Sequence, residues 1–301
     1  MNNKILISTL LALGLTGINS LQAAEKTQTG FYLGGFGGGG TSDNDDFSQS
    51  GVAYKRTGGS QGAYKDSGLN GNLLVDVTGH SDSKTSAMGG LHVGYEFSSI
   101  SFGGNQSGWQ LRPAVELEGY YLGSSMSGNL SNNNNEPVVN SSDPALTNIA
   151  ASEHKFTDSF NLNMGVLLAN SIFNLKTPWS SKILPYIGGG IGGAITSLSG
   201  ANSTQTQGGE HTPYESNTNH FNSNTNASGS AFAAQAKAGI RAEIIDHVSV
   251  FAEYRYLHVT ESNYTFGSTE YGNQHAQTSN WNVGLGSMNF HTGVFGMRYE
   301  F

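Results

Sequence analysis

The sequence predicts an all-β chain folded as a transmembrane, antiparallel, up-and-down β-barrel of eight strands. Three observations carry that prediction. Apolar and polar side chains alternate with period two in segment after segment, the connections between those segments are alternately long and short, and no stretch offers 18 consecutive apolar residues. Without such a run there is no spanning helix, and in hydrocarbon only a closed barrel then satisfies every backbone N–H and C=O.

Composition points the same way. Charged residues make up 12% of the 301 residues, glycine occurs 42 times and cysteine is absent, whereas an ordinary soluble domain averages about 25% charged residues and about 7% glycine. The 13 Tyr and 15 Phe argue against disorder throughout the chain. A net charge of −8 with no basic stripe excludes a nucleic-acid-binding face. The lack of Cys removes disulfides and thiolate metal sites.

Taken in order, the chain begins with an expected signal peptide over residues 1–24. Lys4 supplies a positive start and Ile5 to Leu15 an apolar run of 11 residues, and Leu21-Gln22-Ala23-Ala24 offers cleavage after Ala23 or Ala24. The mature part, 25–301, is expected to be one barrel domain. Its first strand lies in Gly30 to Gly40, placed by position and turn signals, with too many glycines to assign a face.

Leu91, Val93, Tyr95 and Phe97 then alternate with His92, Gly94 and Glu96. In the next strand Trp109, Leu111, Pro113, Val115, Leu117, Gly119 and Tyr121 oppose Gln110, Arg112, Glu116 and Glu118. Phe160, Leu162, Met164, Val166 and Leu168 oppose Asn161, Asn163 and Gly165, and the former set is expected to face lipid. Ile187, Ile191 and Ile195 punctuate a glycine-rich run. Phe232 to Ile244 sets apolar residues at even positions against Gln235, Lys237, Arg241 and Glu243. Val248, Val250, Ala252, Tyr254 and Tyr256 oppose Ser249, Glu253 and Arg255. Phe295, Met297, Tyr299 and Phe301 close the series against Arg298 and Glu300.

Long polar connections are expected as extracellular loops at about 41–85, 123–155, 197–229 and 261–286, with short turns between them on the periplasmic side. Ten strands remain open if Leu73 to Thr78 and Gly51 to Lys55 add a hairpin.

The polar faces decide which side is buried. Glu96, Arg112, Glu116, Glu118, Lys237, Arg241, Glu243, Glu253, Arg255, Arg298 and Glu300 include five basic and six acidic groups. Near-cancelling charge suits a narrow lumen in which ion pairs satisfy one another, whereas charge on the outside costs roughly 2–4 kcal/mol at mid-bilayer. Tyr95, Phe97, Trp109, Tyr120, Tyr121, Tyr254, Tyr256, Tyr299 and Phe301 are candidates for the two interfacial girdles. The glycine runs Gly34 to Gly40 and Gly188 to Gly193 relieve crowding inside a sharply curved wall.

The terminal pattern Phe295, Met297, Tyr299, Phe301 resembles the signal by which outer-membrane barrels are handed to their assembly machinery. Leu184 to Gly192, Phe232 to Ile240 and Val250 to Tyr256 are similar to the surface-antigen and opacity-type family of small eight-stranded barrels. The resemblance implies an outer-membrane location, contact with outer-membrane lipid and lipopolysaccharide, and loops that are adhesive or antigenic toward a host or cell-surface ligand.

No nucleophile elbow, phosphate loop or paired metal histidines occur, so no catalytic residue, cofactor or metal is expected. His154, Asp158, His258 and Glu261 near the extracellular strand ends are the residues a rim enzyme acting on lipid or peptide would use. The expected function is a non-enzymatic surface anchor, with a small porin and a rim enzyme as its rivals.

Overall fold

The computed structural model describes residues 29–43, 45–54, 73–102, 108–132, 137–138, 149–150, 155–180, 182–207, 217–271 and 277–301. The signal peptide expected at 1–24 lies outside them. Among the described residues fifteen strands run in chain order: β1 (Gly30–Ser42), β2 (Asp46–Ala53), β3 (Leu73–Ser81), β4 (Thr85–Glu96), β5 (Ile100–Phe102), β6 (Trp109–Ser131), β7 (Pro137–Val138), β8 (Ile149–Ala150), β9 (Lys155–Lys176), β10 (Ile183–Gln207), β11 (Ala227–Ile245), β12 (Val248–Val259), β13 (Ser262–Phe266), β14 (Trp281–Leu285) and β15 (Met288–Glu300).

Eight of them form the barrel. Antiparallel ladders run β1 to β4, β4 to β6, β6 to β9, β9 to β10, β10 to β11, β11 to β12, β12 to β15 and back from β15 to β1, so the cylinder has no free edge. Closure lets hydrocarbon surround the wall without exposing an unpaired backbone group.

The extra hairpin also exists, as β2 and β3 paired from Asp46↔His80 to Ala53↔Leu73. It does not make a ten-stranded transmembrane ring. It pairs instead with the upper end of β6, through Thr78↔Ser131, and with β14. Lys55, at one end of the expected hairpin, lies outside the described residues.

The long connections are partly strand. The β6–β9 ladder reaches Ser131↔Lys155 and β10 runs to Gln207, both inside stretches expected to be loops. Together with β13, β14, β2 and β3 they form a second, upper cylinder. Ala201 and His220 donate backbone bonds to Thr225 and Ser203, and Gly267 and Ser223 to Asn224 and Ser268, so the segment around 217–226 links β10 to the β13 region.

Polarity inverts between the two levels. In the lower part the outward side chains are Phe31, Leu33, Leu91, Val93, Val115, Leu117, Leu167, Phe173, Ile187, Ile191, Ile240, Phe295 and Met297, all exposed. In the upper part the outward row is Ser125, Asn129, Asn161, Ser197 and Asn202, while Phe47, Val77, Leu130, Phe156, Phe160, Phe221, Phe266, Trp281 and Val283 fill the inside. A bilayer surrounds the first level and water the second.

This inversion corrects the expected face of β9. Phe160, Leu162, Met164, Val166 and Leu168 point inward and are buried; Asn161, Gly165, Leu167 and Ala169 point outward. Period two reports two faces but not the medium beyond each. Asn161 and Asn163 resembled lumen residues because they sit above the apolar belt, where the outside is wet. Tyr120 is likewise corrected, since it is buried inside at 5% exposure, whereas Tyr121 is 54% exposed on the outer wall.

Inward glycines earn their place by close approach. A Cβ on Gly192 would lie 1.9 Å from Leu167 O, and one on Gly34 would lie 2.1 Å from His92 Nε2. The outward Gly165 and Gly293 would meet nothing within 4 Å.

Candidate functional site

The lower lumen is a two-layer network of ionised side chains, carried inward by the strands of the closed ring. In the periplasmic layer the Glu96 carboxylate, from β4, accepts from Arg298 Nη2 at 2.8 Å and Arg241 Nη1 at 3.0 Å. Arg112 Nη1 lies 3.5 Å and Asn174 Nδ2 3.4 Å from the same carboxylate. Glu300 lies 3.2 Å from Arg298 Nε and 3.5 Å from Arg241 Nη1. The Arg298 guanidinium stacks 3.5 Å from the centre of the Tyr32 ring.

One level outward, Lys237 Nζ donates to Glu116 Oε1 at 2.6 Å and Glu118 Oε2 at 2.9 Å. Arg255 Nη1 donates to Glu118 Oε1 at 2.6 Å, its Nε pairs with Glu253, and its guanidinium lies 4.0 Å over the Phe36 ring. Uncharged groups complete the carboxylates. Tyr32 donates to Glu116 at 3.1 Å, Asn170 to Glu116 at 3.2 Å, Gln235 to Glu118 at 3.0 Å and Tyr186 to Glu253 at 2.7 Å.

Ten of the eleven expected lumen residues therefore meet. Glu243 does not: it is half-buried beside the Ile245 to Val248 turn and has no ion pair among the described residues. With it set aside, the basic Arg112, Lys237, Arg241, Arg255 and Arg298 balance the acidic Glu96, Glu116, Glu118, Glu253 and Glu300. Such balance is what makes burial tolerable, because each ion's desolvation is offset only by well-placed partners.

Sequence reading missed Tyr32, Asn170, Asn174 and Tyr186 as supports, and placed Gln235 on the polar face without a role. Asn170 and Asn174 share the parity of Leu168, a face that the sequence reading assigns to lipid and the structure places inside. His92, Glu116 and Glu118 are the one triple of potential metal ligands among the described residues, with atoms within 4.8 Å of one another. Lys237 already places its ammonium against both carboxylates.

Above the ions the lumen is closed by apolar side chains, including Leu122, Met164, Val166, Leu257, Val259, Met288 and Phe290, each at most 3% exposed. The expected rim residues have unlike surroundings. His154 lies outside the described residues, Glu261 is exposed, and His258 Nδ1 is 2.9 Å from Asn289 Oδ1.

Asp158 is wholly buried in the extension, above the membrane-spanning part of β9. With its amide nitrogen turned toward Asp158, Gln49 donates to the two carboxylate oxygens at 3.2 and 3.0 Å. No cation accompanies it among the described residues. Burial raises its carboxyl to about 7, and a hydrogen bond with Ser203 opposes this only in part. Asp45, buried in the connection between β1 and β2, is also raised to about 7, by burial first and then by the neighbouring Asp43.

The terminal residues Phe295, Met297, Tyr299 and Phe301 all project from the outer wall.

The sequence matches no protein-family model and no curated protein. Among solved structures, the outer membrane protein OprG from Pseudomonas aeruginosa is similar at 16% identity over 91% of this chain and 98% of that chain, with a TM-score of 0.37. The outer membrane protease OmpT from Escherichia coli is similar at 9% identity over 93% and 99%, with a TM-score of 0.35. Neisserial surface protein A is similar at 15% identity over 90% and 97%, with a TM-score of 0.25. At that distance the assignment rests on the chain's own closed ring, apolar belt and charged interior: this is an eight-stranded outer-membrane β-barrel with a surface-exposed extension.

Proposed function

We propose that the protein is a non-conducting anchor of the outer membrane, whose extension and loops make contacts with other cells or matrix. The observation that carries this reading is the filled lumen. Among the described residues, ion pairs occupy its lower half and an apolar core its upper half, which leaves little room for water along the axis. Eight strands leave an interior just wide enough for side chains. The dissimilar surroundings of Asp158, His258 and Glu261 assign no reaction to the rim.

In this reading outer-membrane lipid and lipopolysaccharide surround the belt and the base of the extension. The outward pattern Phe295, Met297, Tyr299, Phe301 serves recognition by the assembly machinery. Planar-bilayer recording of the refolded protein tests the anchor: no steady pore is expected, and a stable nanosiemens-scale conductance would make it a porin. Loop removal tests the surface role. Deleting the loops singly should reduce binding of intact cells or antibody recognition, and a full set of unchanged responses would sink it.

A further inference from the structure

The outer wall of the extension carries a concavity that the anchor role does not use. A trough of about 810 Å³ crosses five adjacent strands, β13, β14, β2, β3 and β6. Along it Asn263 pairs with Gly284, Gly284 with Ser48, Ser48 with Thr78 and Thr78 with Ser131, while Asp46, His80 and Asn129 form the neighbouring row. The polar ends of Ser48 and Asn263 turn in over Gly284, where a Cβ would lie 2.5 and 3.2 Å from them.

The chemistry of the lining is selective. Asn129, Asn263 and Thr78 offer donors and acceptors together, and Asp46 and Glu261 offer strong acceptors. Among the described residues the lining holds no Lys or Arg to complement phosphate or sulfate. The field toward cations is weakened by screening solvent, because the side chains of Asp46 and His80, 3.1 Å apart, are both largely exposed. A surface that both donates and accepts, on rigid ladder positions, suits a ligand dense in hydroxyl groups.

Height identifies where that ligand comes from. Asn129 lies eight residues beyond Tyr121 along β6, about 20 Å farther from the membrane at ~3.3 Å per residue and ~40° tilt. We infer that the trough binds an uncharged oligosaccharide presented from outside the cell. The inference deepens the surface-contact reading and rests on it.

The test uses the full chain in zwitterionic, sugar-free micelles and saturation-transfer NMR with maltotriose, chitotriose and N-acetyllactosamine as probes. Transfer to at least one probe is expected. Thr78→Trp, which fills the trough, and Glu261→Gln should each weaken that probe at least tenfold, whereas Ser197→Trp, on the outer face of β10 away from the trough, should leave it unchanged. Heat-modifiable gel migration verifies that each variant is folded.

Absence of transfer to all three probes overturns the inference, as does transfer unaffected by Thr78→Trp. Binding of oligolysine, in place of the sugars, that is lost in the same variants would reassign the trough to cationic peptides. Binding of lipopolysaccharide alone would reassign it to the protein's own membrane. Whole-cell adhesion that survives Thr78→Trp without sugar binding sinks only this inference, while a steady conductance sinks the anchor and leaves the NMR result standing.

Discussion

Replacing Asp158 by Asn should stabilise the extension at neutral and alkaline pH and do little in acid. The carboxyl is 0% exposed and its pKa in the folded protein rises from 3.8 to about 7. Folding therefore favours the protonated form. The associated stability is fully present below pH 3.8, declines as pH rises between there and about 7, and has been lost above that. Roughly three pKa units at 1.36 kcal/mol each correspond to about 4 kcal/mol.

An amide at the same place does not ionise, and it can donate to Gln49 or accept from it, with Ser203 beside both. The variant should recover about 2–4 kcal/mol at pH 8, the lower figure allowing for one weaker hydrogen bond. Trp281, 2% exposed in the extension core, is a local reporter once Trp109 and Trp179, the other two of the three Trp, are replaced by Phe. Urea unfolding followed by its fluorescence at pH 4, 6 and 8 gives the slope. The wild-type extension should weaken from pH 4 to 8, and Asp158→Asn should weaken less, with a residual slope from Asp45, whose carboxyl is shifted to the same region. Equal slopes in the two proteins, or a variant less stable than wild type at pH 8, would refute the reasoning that this carboxyl lacks a compensating partner.

Lys237→Met should destabilise the barrel by about 3–5 kcal/mol by leaving Glu116 and Glu118 buried without their shared cation; the temperature of the heat-modifiable gel shift should fall, and adding Glu118→Gln should restore part of it. Gly192→Val should abolish refolding, since its Cβ would sit 1.9 Å from a carbonyl oxygen, whereas Gly165→Ala, facing open space, should fold normally in the same gel assay. Phe301→Ala should lower the amount of folded protein in outer-membrane fractions without changing the thermal stability of protein refolded in detergent, which separates assembly from stability.

What the amino-acid sequence determined by itself was the transmembrane architecture. Alternation along Trp109 to Tyr121, Phe232 to Ile244 and Gly293 to Phe301 established strands with one charged and one apolar face. The near-cancelling charges of the polar faces then placed them inside, because an ion in hydrocarbon costs too much to stand alone. Those are properties of short segments and their total, so no contact map was needed to read them.

Only the tertiary structure decided where the membrane ends. Along β9 both faces carry apolar groups, and whether Phe160 or Leu167 meets lipid depends on the height of each residue in the finished cylinder. Register sets that height, and register comes from pairing across strands far apart in the chain. The same cause explains why stretches rich in Asn, Ser and Thr proved to be partly walls of a second cylinder: their apolar partners, such as Phe47 and Val77 in one connection and Trp281 in another, lie far apart in the chain. It also explains why Asp158, placed at a wet rim by its sequence position, lies instead in the dry interior that those connections enclose.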